Sequence, residues 1–158
     1  MPVDPKEFRR ALGSFASGVT VVAAEVDGAI HGMTASAFIS VSMEPPLVLV
    51  SVSRKAHLHP IVAQAGAYSV SILGAHQAAI SNHFAGRPNP ELDIAWARTD
   101  AGQPVLADAL TTLSCTLEQA IDAGDHTLYV GRVMGVDIRE GEPLAYFRGG
   151  YQTLRPQT

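Results

Sequence analysis

A chain of 158 residues, 47% hydrophobic and 16% charged, is long enough to bury one core without disulfides and too apolar to stay disordered, which predicts a single domain over residues 1–158. Lys and Arg number 11 and Asp and Glu 15, giving a net charge of −4 with no basic run, and this argues against a nucleic-acid partner. Cys115 is the only cysteine, so an internal disulfide is impossible and a Cys-based zinc site lacks ligands; with no leader-like N-terminus and no long apolar window, the chain is expected to be soluble and cytoplasmic, with no membrane span.

Asp4 is placed to cap a first helix, with Pro5 at its first position and Glu7 where a capping box would close. Phe8, Leu12 and Phe15 follow as one apolar stripe, and Gly18 supplies a stop. The period then changes. Residues 19–24 (VTVVAA) are β-rich, and Asp27-Gly28 signals a tight turn into a second strand. Pro45-Pro46 ends the next segment, and residues 47–53 (LVLVSVS) read as a well-buried strand. A short helix is expected from Leu58 to Ala65, stopped by Gly66, then a strand over residues 68–73 and a second short helix over residues 75–85. Residues 86–90, with two prolines, read as an exposed loop. Beyond it, residues 110–120, 127–137 and 145–154 are mostly β. Seven or so short strands with few helices predict a mainly β, antiparallel barrel, and the lack of G-x-G-x-x-G disfavours a Rossmann fold.

Three segments can carry chemistry. Residues 32–38 (GMTASAF) combine small side chains with two hydroxyls. They suit either the close approach of a flat ligand or a tightly packed strand crossing, and spacing alone favours the crossing. Ser51, Ser53, Arg54, Lys55 and His57 sit between a strand and a helix, as a phosphate cradle or as a solvated turn. His126, beside Gly124-Asp125, opens a strand where it can reach over a bound ring or simply face water, and Tyr151 can stack on a planar ligand or fill a barrel end. None of the six histidines shows a ligand spacing, so no metal is expected; no G-x-S-x-G elbow or Walker loop is present.

Taken in order from Phe8 to Leu154, these motifs resemble the flavin reductase-like family, the FMN-binding split β-barrels that supply reduced flavin to two-component monooxygenases. The resemblance rests on residues 15–22 (FASGVTVV), on 32–38 followed by Val41-Ser42 and Pro45-Pro46-Leu47, and on Gln77, Ser81 and Phe84-Ala85-Gly86. Gly124-Asp125-His126 and Gly149-Gly150-Tyr151 complete it. It implies a Greek-key split barrel with short flanking helices, FMN or FAD as the flavin, NADH or NADPH as hydride donor, and a homodimer with a separate monooxygenase as partner. It further implies that Met33, Thr34, Ala35 and Ser36 line the isoalloxazine ring, with backbone N–H groups at its pyrimidine edge. Ser51, Val52 and Ser53 follow the ribityl chain, Lys55 and His57 meet the phosphate, and Ser81, Phe84, Ala85 and Gly86 close the pocket. His126 lies by the nicotinamide with Tyr151 near it, positioning the ring rather than serving as an essential acid. Two departures stand out: Ala56-His57-Leu58-His59 where relatives carry hydroxyls, and Ser71 where many carry Asn. The rival readings are a split-barrel protein that holds FMN tightly for another redox or sensing role, and a small-barrel interaction protein without flavin.

Overall fold

The computed structural model describes residues 2–158. In chain order the elements are α1 (Pro5–Leu12), β1 (Ser17–Gly18), β2 (Thr20–Val26), β3 (Ala29–Ala35), β4 (Phe38–Met43), β5 (Pro46–Ser53), α2 (Leu58–Ala65) and β6 (Ala67–Ile72). A 3-10 turn (Ala75–Gln77) and α3 (Ala78–Phe84) follow, then β7 (Trp96–Arg98), β8 (Pro104–Leu106), β9 (Thr111–Ala123), β10 (His126–Ile138), β11 (Ala145–Phe147) and β12 (Gly150–Gln152).

Seven strands form one antiparallel sheet in the order β3-β2-β6-β9-β10-β5-β4. Its two edge strands, β3 and β4, are consecutive in the chain and joined only by Ser36 and Ala37. The three Cα–Cα steps from Ala35 to Phe38 span about 11 Å at most, so the sheet must curl until its edges meet at that corner. The result is a split β-barrel, with the split between β3 and β4. The β2–β3 turn carries positive φ at both Asp27 (52°) and Gly28 (78°), the backbone a two-residue hairpin of this twist requires.

Strand alternation sorts the side chains into two cores. Val22 and Ala24 of β2 point into the barrel, where Val48, Val50, Val52, Tyr68, Val70, Cys115 and Tyr129 join them. Val19 and Val21, on the opposite face, build a second core with Leu73, Leu106, Ala109 and Leu144, packed against Phe84, Trp96 and Tyr151. β2 is thus buried on both sides. β5 alternates instead of being buried throughout: Val48, Val50 and Val52 are inside, while Leu47, Leu49, Ser51 and Ser53 are half-buried.

α2 has the expected limits, and Gly66 ends it in the left-handed region (φ 64°). Its Leu58 and Val62 plug the barrel, each worth about 1.5–3 kcal/mol of apolar burial. α1 departs from expectation. Asp4 caps it by accepting from the Lys6 and Glu7 N–H groups, but the helix ends at Gly13, and Gly18 belongs to β1. None of its residues is buried: Phe8 is 56% and Leu12 58% exposed, and Phe15, beyond its end, is 81% exposed. The stripe at i, i+4, i+7 is real, yet it faces away from the protein, because amphipathicity says which residues share a side and not what that side meets.

Ser71 has a structural task. Its Oγ accepts from the Leu106 N–H at 3.0 Å and Ser69 Oγ donates to the Pro104 carbonyl, so together they staple β8 to β6. Among the described residues no helix is long and apolar enough to cross a membrane.

Candidate functional site

A cleft of about 380 Å³ opens where the β3–β4 corner, α3 and the β11–β12 hairpin converge; its walls include Thr34, Ser36, Ser81, Asn82, Arg87 and Tyr151. Register explains the first two. Thr34 pairs with Val21 and Met33 with Val22, so Thr34 and Ser36 share the outer face while Met33 and Ala35 face the barrel core. The side chains of Met33 and Ala35 are therefore core residues and take no part in the cleft wall.

α3 is held against this face by small residues. A Cβ on Gly32 would come within 2.9 Å of the Phe84 ring, so glycine there lets Phe84 lie flat on β3. Phe84 also packs edge-on against Trp96, with ring centroids 5.9 Å apart, which makes it a packing residue of the second core and no part of the cleft wall. Gly86 (φ 86°) turns the chain out after the helix, leaving Ala85 and Arg87 at the cleft.

Hydrogen bonds fix the polar wall. Thr34 Oγ1 donates to the Ser81 carbonyl at 2.6 Å. The Tyr151 hydroxyl lies 2.8 Å from Ser81 Oγ and donates to Asn82 Oδ1 at 2.9 Å. Tyr151 in turn meets Tyr146 edge-on, with centroids 5.7 Å apart. The site thus offers a rigid aromatic pair, the hydroxyls of Thr34 and Tyr151 committed to the protein, and at its edge the guanidinium of Arg87, which makes no ion pair among the described residues.

The corner itself supplies the free donors. The Phe38 N–H donates to the Ser36 carbonyl and the Ser51 N–H to the Ala37 carbonyl. Both residues lie outside the strand ladders, and among the described residues the N–H groups of Ser36 and Ala37 have no acceptor. Both residues are exposed and Ser36 lines the cleft, so these N–H groups are open to solvent and free to donate.

The other expected residues lie along β5 and β10, outside this cleft. Ser51 touches the corner through its main chain, and Val52 is wholly buried in the barrel core, so only its backbone is available. Ser53 pairs across the ladder with His126, and its Oγ accepts from the Lys55 N–H at 3.3 Å. Stepping from Ser51 to Ser53 covers about 7 Å and crossing to β10 about 5 Å more, which sets the distance from the corner to His126. His126 Nδ1 lies 2.7 Å from Asp125 Oδ1, and that contact holds the Asp125 carboxyl below its ordinary range. Arg54 is engaged with Asp122 at 3.1 Å. Lys55 and His57 are exposed, and among the described residues Lys55 makes no ion pair. His59, by contrast, is a structural tie: Nε2 is 2.8 Å from Thr127 Oγ1, and its carbonyl accepts from the Tyr129 hydroxyl at 2.7 Å.

Sequence reasoning missed Asn82, Tyr146 and the Ala37 N–H. Their signal was weak because α3, β11 and the β3–β4 corner, far apart in sequence, bring them together; only the alternation in residues 32–37 could have told Thr34 and Ser36 from Met33 and Ala35 beforehand.

The family model described as the flavin reductase like domain matches residues 12–155. An NADH-dependent flavin reductase from a Rhodococcus species is 44% identical over 157 residues, covering 96% of this chain and 88% of that one. The reductase component of 4-hydroxyphenylacetate 3-monooxygenase from Thermus thermophilus is 46% identical over 148 residues, covering 93% and 95%. Among solved structures, the flavin reductase PheA2 in its native state superposes with a TM-score of 0.94 at 44% identity, over 98% of this chain and all of that one.

Proposed function

The chain belongs to the flavin reductase-like domain family, and from that premise we propose that it is an NADH-dependent flavin oxidoreductase that delivers reduced FMN or FAD to a separate monooxygenase component. The observation that carries this reading is the pair of unpartnered N–H groups at Ser36 and Ala37, beside a cleft walled by Tyr146 and Tyr151. A flavin fits such a donor set. Its pyrimidine edge presents carbonyl and ring-nitrogen acceptors, and its tricycle matches a flat aromatic and small-residue wall. No side-chain acid is needed at the corner, since what must be matched there is an acceptor edge that gathers negative charge.

Bound flavin supplies the electron-accepting ring that takes hydride from the nicotinamide. The chain's own part is placement and electrostatics. Ser36 and Ala37 donate to the pyrimidine edge from fixed positions, so no reorganisation is required as charge develops. Thr34 keeps its hydroxyl on the Ser81 carbonyl and braces β3 against α3. Ser51 and Ser53 continue along β5 toward Lys55 and His57, whose positive or hydrogen-bonding groups suit a 5′-phosphate. His126, oriented by Asp125, is a positioning residue for the nicotinamide carboxamide, needed to bring donor and acceptor within about 3–3.5 Å. NADH is favoured as donor because the Rhodococcus relative is named for it. A monooxygenase partner follows from relatives such as the Thermus reductase component.

The assembly proposed is a homodimer. Phe8 and Leu12 on α1, Phe15 just beyond it, and Met134 (60% exposed), Val136 (61%) and Ile138 (74%) on β10 are large apolar side chains left in water, the kind a second copy of the chain would cover.

Steady-state oxidation of NADH and of NADPH, each with FMN, FAD and riboflavin, tests the reading. Flavin-dependent NADH oxidation with release of reduced flavin is expected. A protein that binds flavin yet oxidises neither nicotinamide would overturn it.

A further inference from the structure

The hairpin that carries His126 stands partly clear of the barrel. β6 accompanies β9 from Thr111 to Thr116, and the Leu117 N–H makes the last bond on that side, to the Gly66 carbonyl at 2.9 Å. From Glu118 to Ala123 the strand is exposed, and among the described residues β10 is its only ladder neighbour. On the far side β10 leans on β5, and that ladder ends at the pair of His126 with Ser53. Gly124, at φ 61°, forms the tip. A two-stranded ribbon that runs past its neighbours is free to twist and swing. A side chain that aligns a nicotinamide has to be held much more closely than that, since a misplacement of about 1 Å is costly.

Arg54 supplies the missing support. It is the first residue after β5, and its N–H donates to the Asp125 carbonyl at 3.0 Å. Its guanidinium meets the Asp122 carboxylate at 3.1 Å. Asp125 precedes His126 in the chain, and Asp122 pairs across the hairpin with Thr127, which follows it. One residue thus holds both arms of the turn, with a contact on each side of His126. Among the described residues this is the one ion pair that joins the hairpin to another element. Arg132 with Glu118 and His126 with Asp125 both close within it.

Resting on the flavin reductase reading, we infer that Arg54 is a positioning residue for the hydride donor. Its bond to Asp125 and its ion pair with Asp122 fix the direction in which His126 presents its imidazole to the nicotinamide carboxamide. Arg54 acts through His126 and makes no contact with the nicotinamide of its own. Lys55 and His57, next along the chain, stay with the flavin phosphate.

The test uses the full chain with NADH as the varied substrate and FMN as acceptor. The main-chain bond survives any substitution but proline, so Arg54→Ala removes the ion pair alone and leaves the barrel folded. Losing an exposed pair of this kind should raise the KM for NADH about two- to fivefold, with kcat and the FMN dissociation constant unchanged. Asp122→Asn should reproduce that rise, and the double variant should add nothing to it. Arg54→Lys should restore the parent value, because a single Nη atom makes the contact and an ammonium can take its place. In a His126→Ala background, Arg54→Ala should have no further effect. If Arg54 meets the dinucleotide directly, its loss raises KM even without His126, and Asp122→Asn, by freeing the guanidinium, leaves KM unchanged or lower. That result would overturn the inference, as would an unchanged KM in Arg54→Ala or an equal loss of FMN affinity. Amide hydrogen exchange reads the clamp without substrate. Residues 122–127 should exchange about two- to fivefold faster in Arg54→Ala than in the parent or in Arg54→Lys, and equal rates would end the proposal. If no flavin supports NADH oxidation by the parent, the reductase reading falls by itself, while the exchange rates still decide whether Arg54 holds the turn.

Discussion

Replacing His126 by alanine separates positioning of the nicotinamide from binding of the flavin. His126 opens β10, pairs with Ser53 across the ladder and takes its orientation from Asp125 at 2.7 Å. By the strand geometry it lies one short strand step and one strand spacing from the flavin corner, so it can reach a second ring stacked on the first without touching the first ring's pyrimidine edge. A single hydrogen bond from an imidazole to a carboxamide contributes about 0.5–1.5 kcal/mol net, which is about two- to twelvefold in affinity. His126→Ala should therefore raise the KM for NADH by about that factor at saturating FMN, while the FMN dissociation constant stays within about twofold. Folding should hardly respond. The His126 side chain is 42% exposed and its partner Asp125 91%, and a surface change of this kind moves a domain this size by no more than about 2 °C. Steady-state kinetics with NADH as the varied substrate, fluorescence titration of FMN and a thermal melt make the comparison complete. An unchanged KM for NADH together with lost FMN affinity would refute the placement, since His126 would then belong to the flavin.

Other consequences follow from packing. A Cβ at Gly131 would sit 2.5 Å from the Tyr68 hydroxyl and 2.9 Å from Cys115 Cβ, and would break the buried bond from Tyr68 to the Tyr129 carbonyl; Gly131→Ala should cost about 2–4 kcal/mol and lower Tm by roughly 5–15 °C, and a melt within 2 °C of the parent would show that the barrel interior yields more easily than its packing implies. Cys115 is wholly buried, and burial pushes its thiol up to about 12, so the native protein at pH 8 should react with a thiol reagent only after denaturant is added; rapid native labelling would contradict that burial. Phe8→Glu/Leu12→Glu should convert a dimer in sedimentation or light scattering to monomer without unfolding the barrel, because neither side chain supports a core of its own chain; a parent that is already monomeric would remove the α1 stripe from any interface.

The elements that could be read from the chain beforehand are those fixed by local chemistry. Gly66 stops α2 because left-handed backbone favours glycine, and Asp27-Gly28 turns β2 into β3 for the same reason. β7 and β8, three residues each, carry no local pattern; they exist because Ser69 and Ser71 reach across to hold β8. The outward face of α1 was equally illegible, since an apolar stripe looks the same whether it meets its own barrel or a second copy. At the site, Thr34 and Ser36 were visible as residue types, and the alternation that turns Met33 and Ala35 inward was implicit in a period of two. Asn82, Arg87 and Tyr146 became site residues only when α3 and the β11–β12 hairpin were set against β3, which is tertiary information.

The account depends most on the free donors at the β3–β4 corner. Backbone amide resonances of the isotope-labelled protein, followed during titration with FMN, report them directly. The Ser36 and Ala37 N–H signals are predicted to shift downfield in step with occupancy, as each gains an acceptor. Saturable FMN binding that leaves both signals in place while the largest shifts fall elsewhere on the barrel would contradict the assignment.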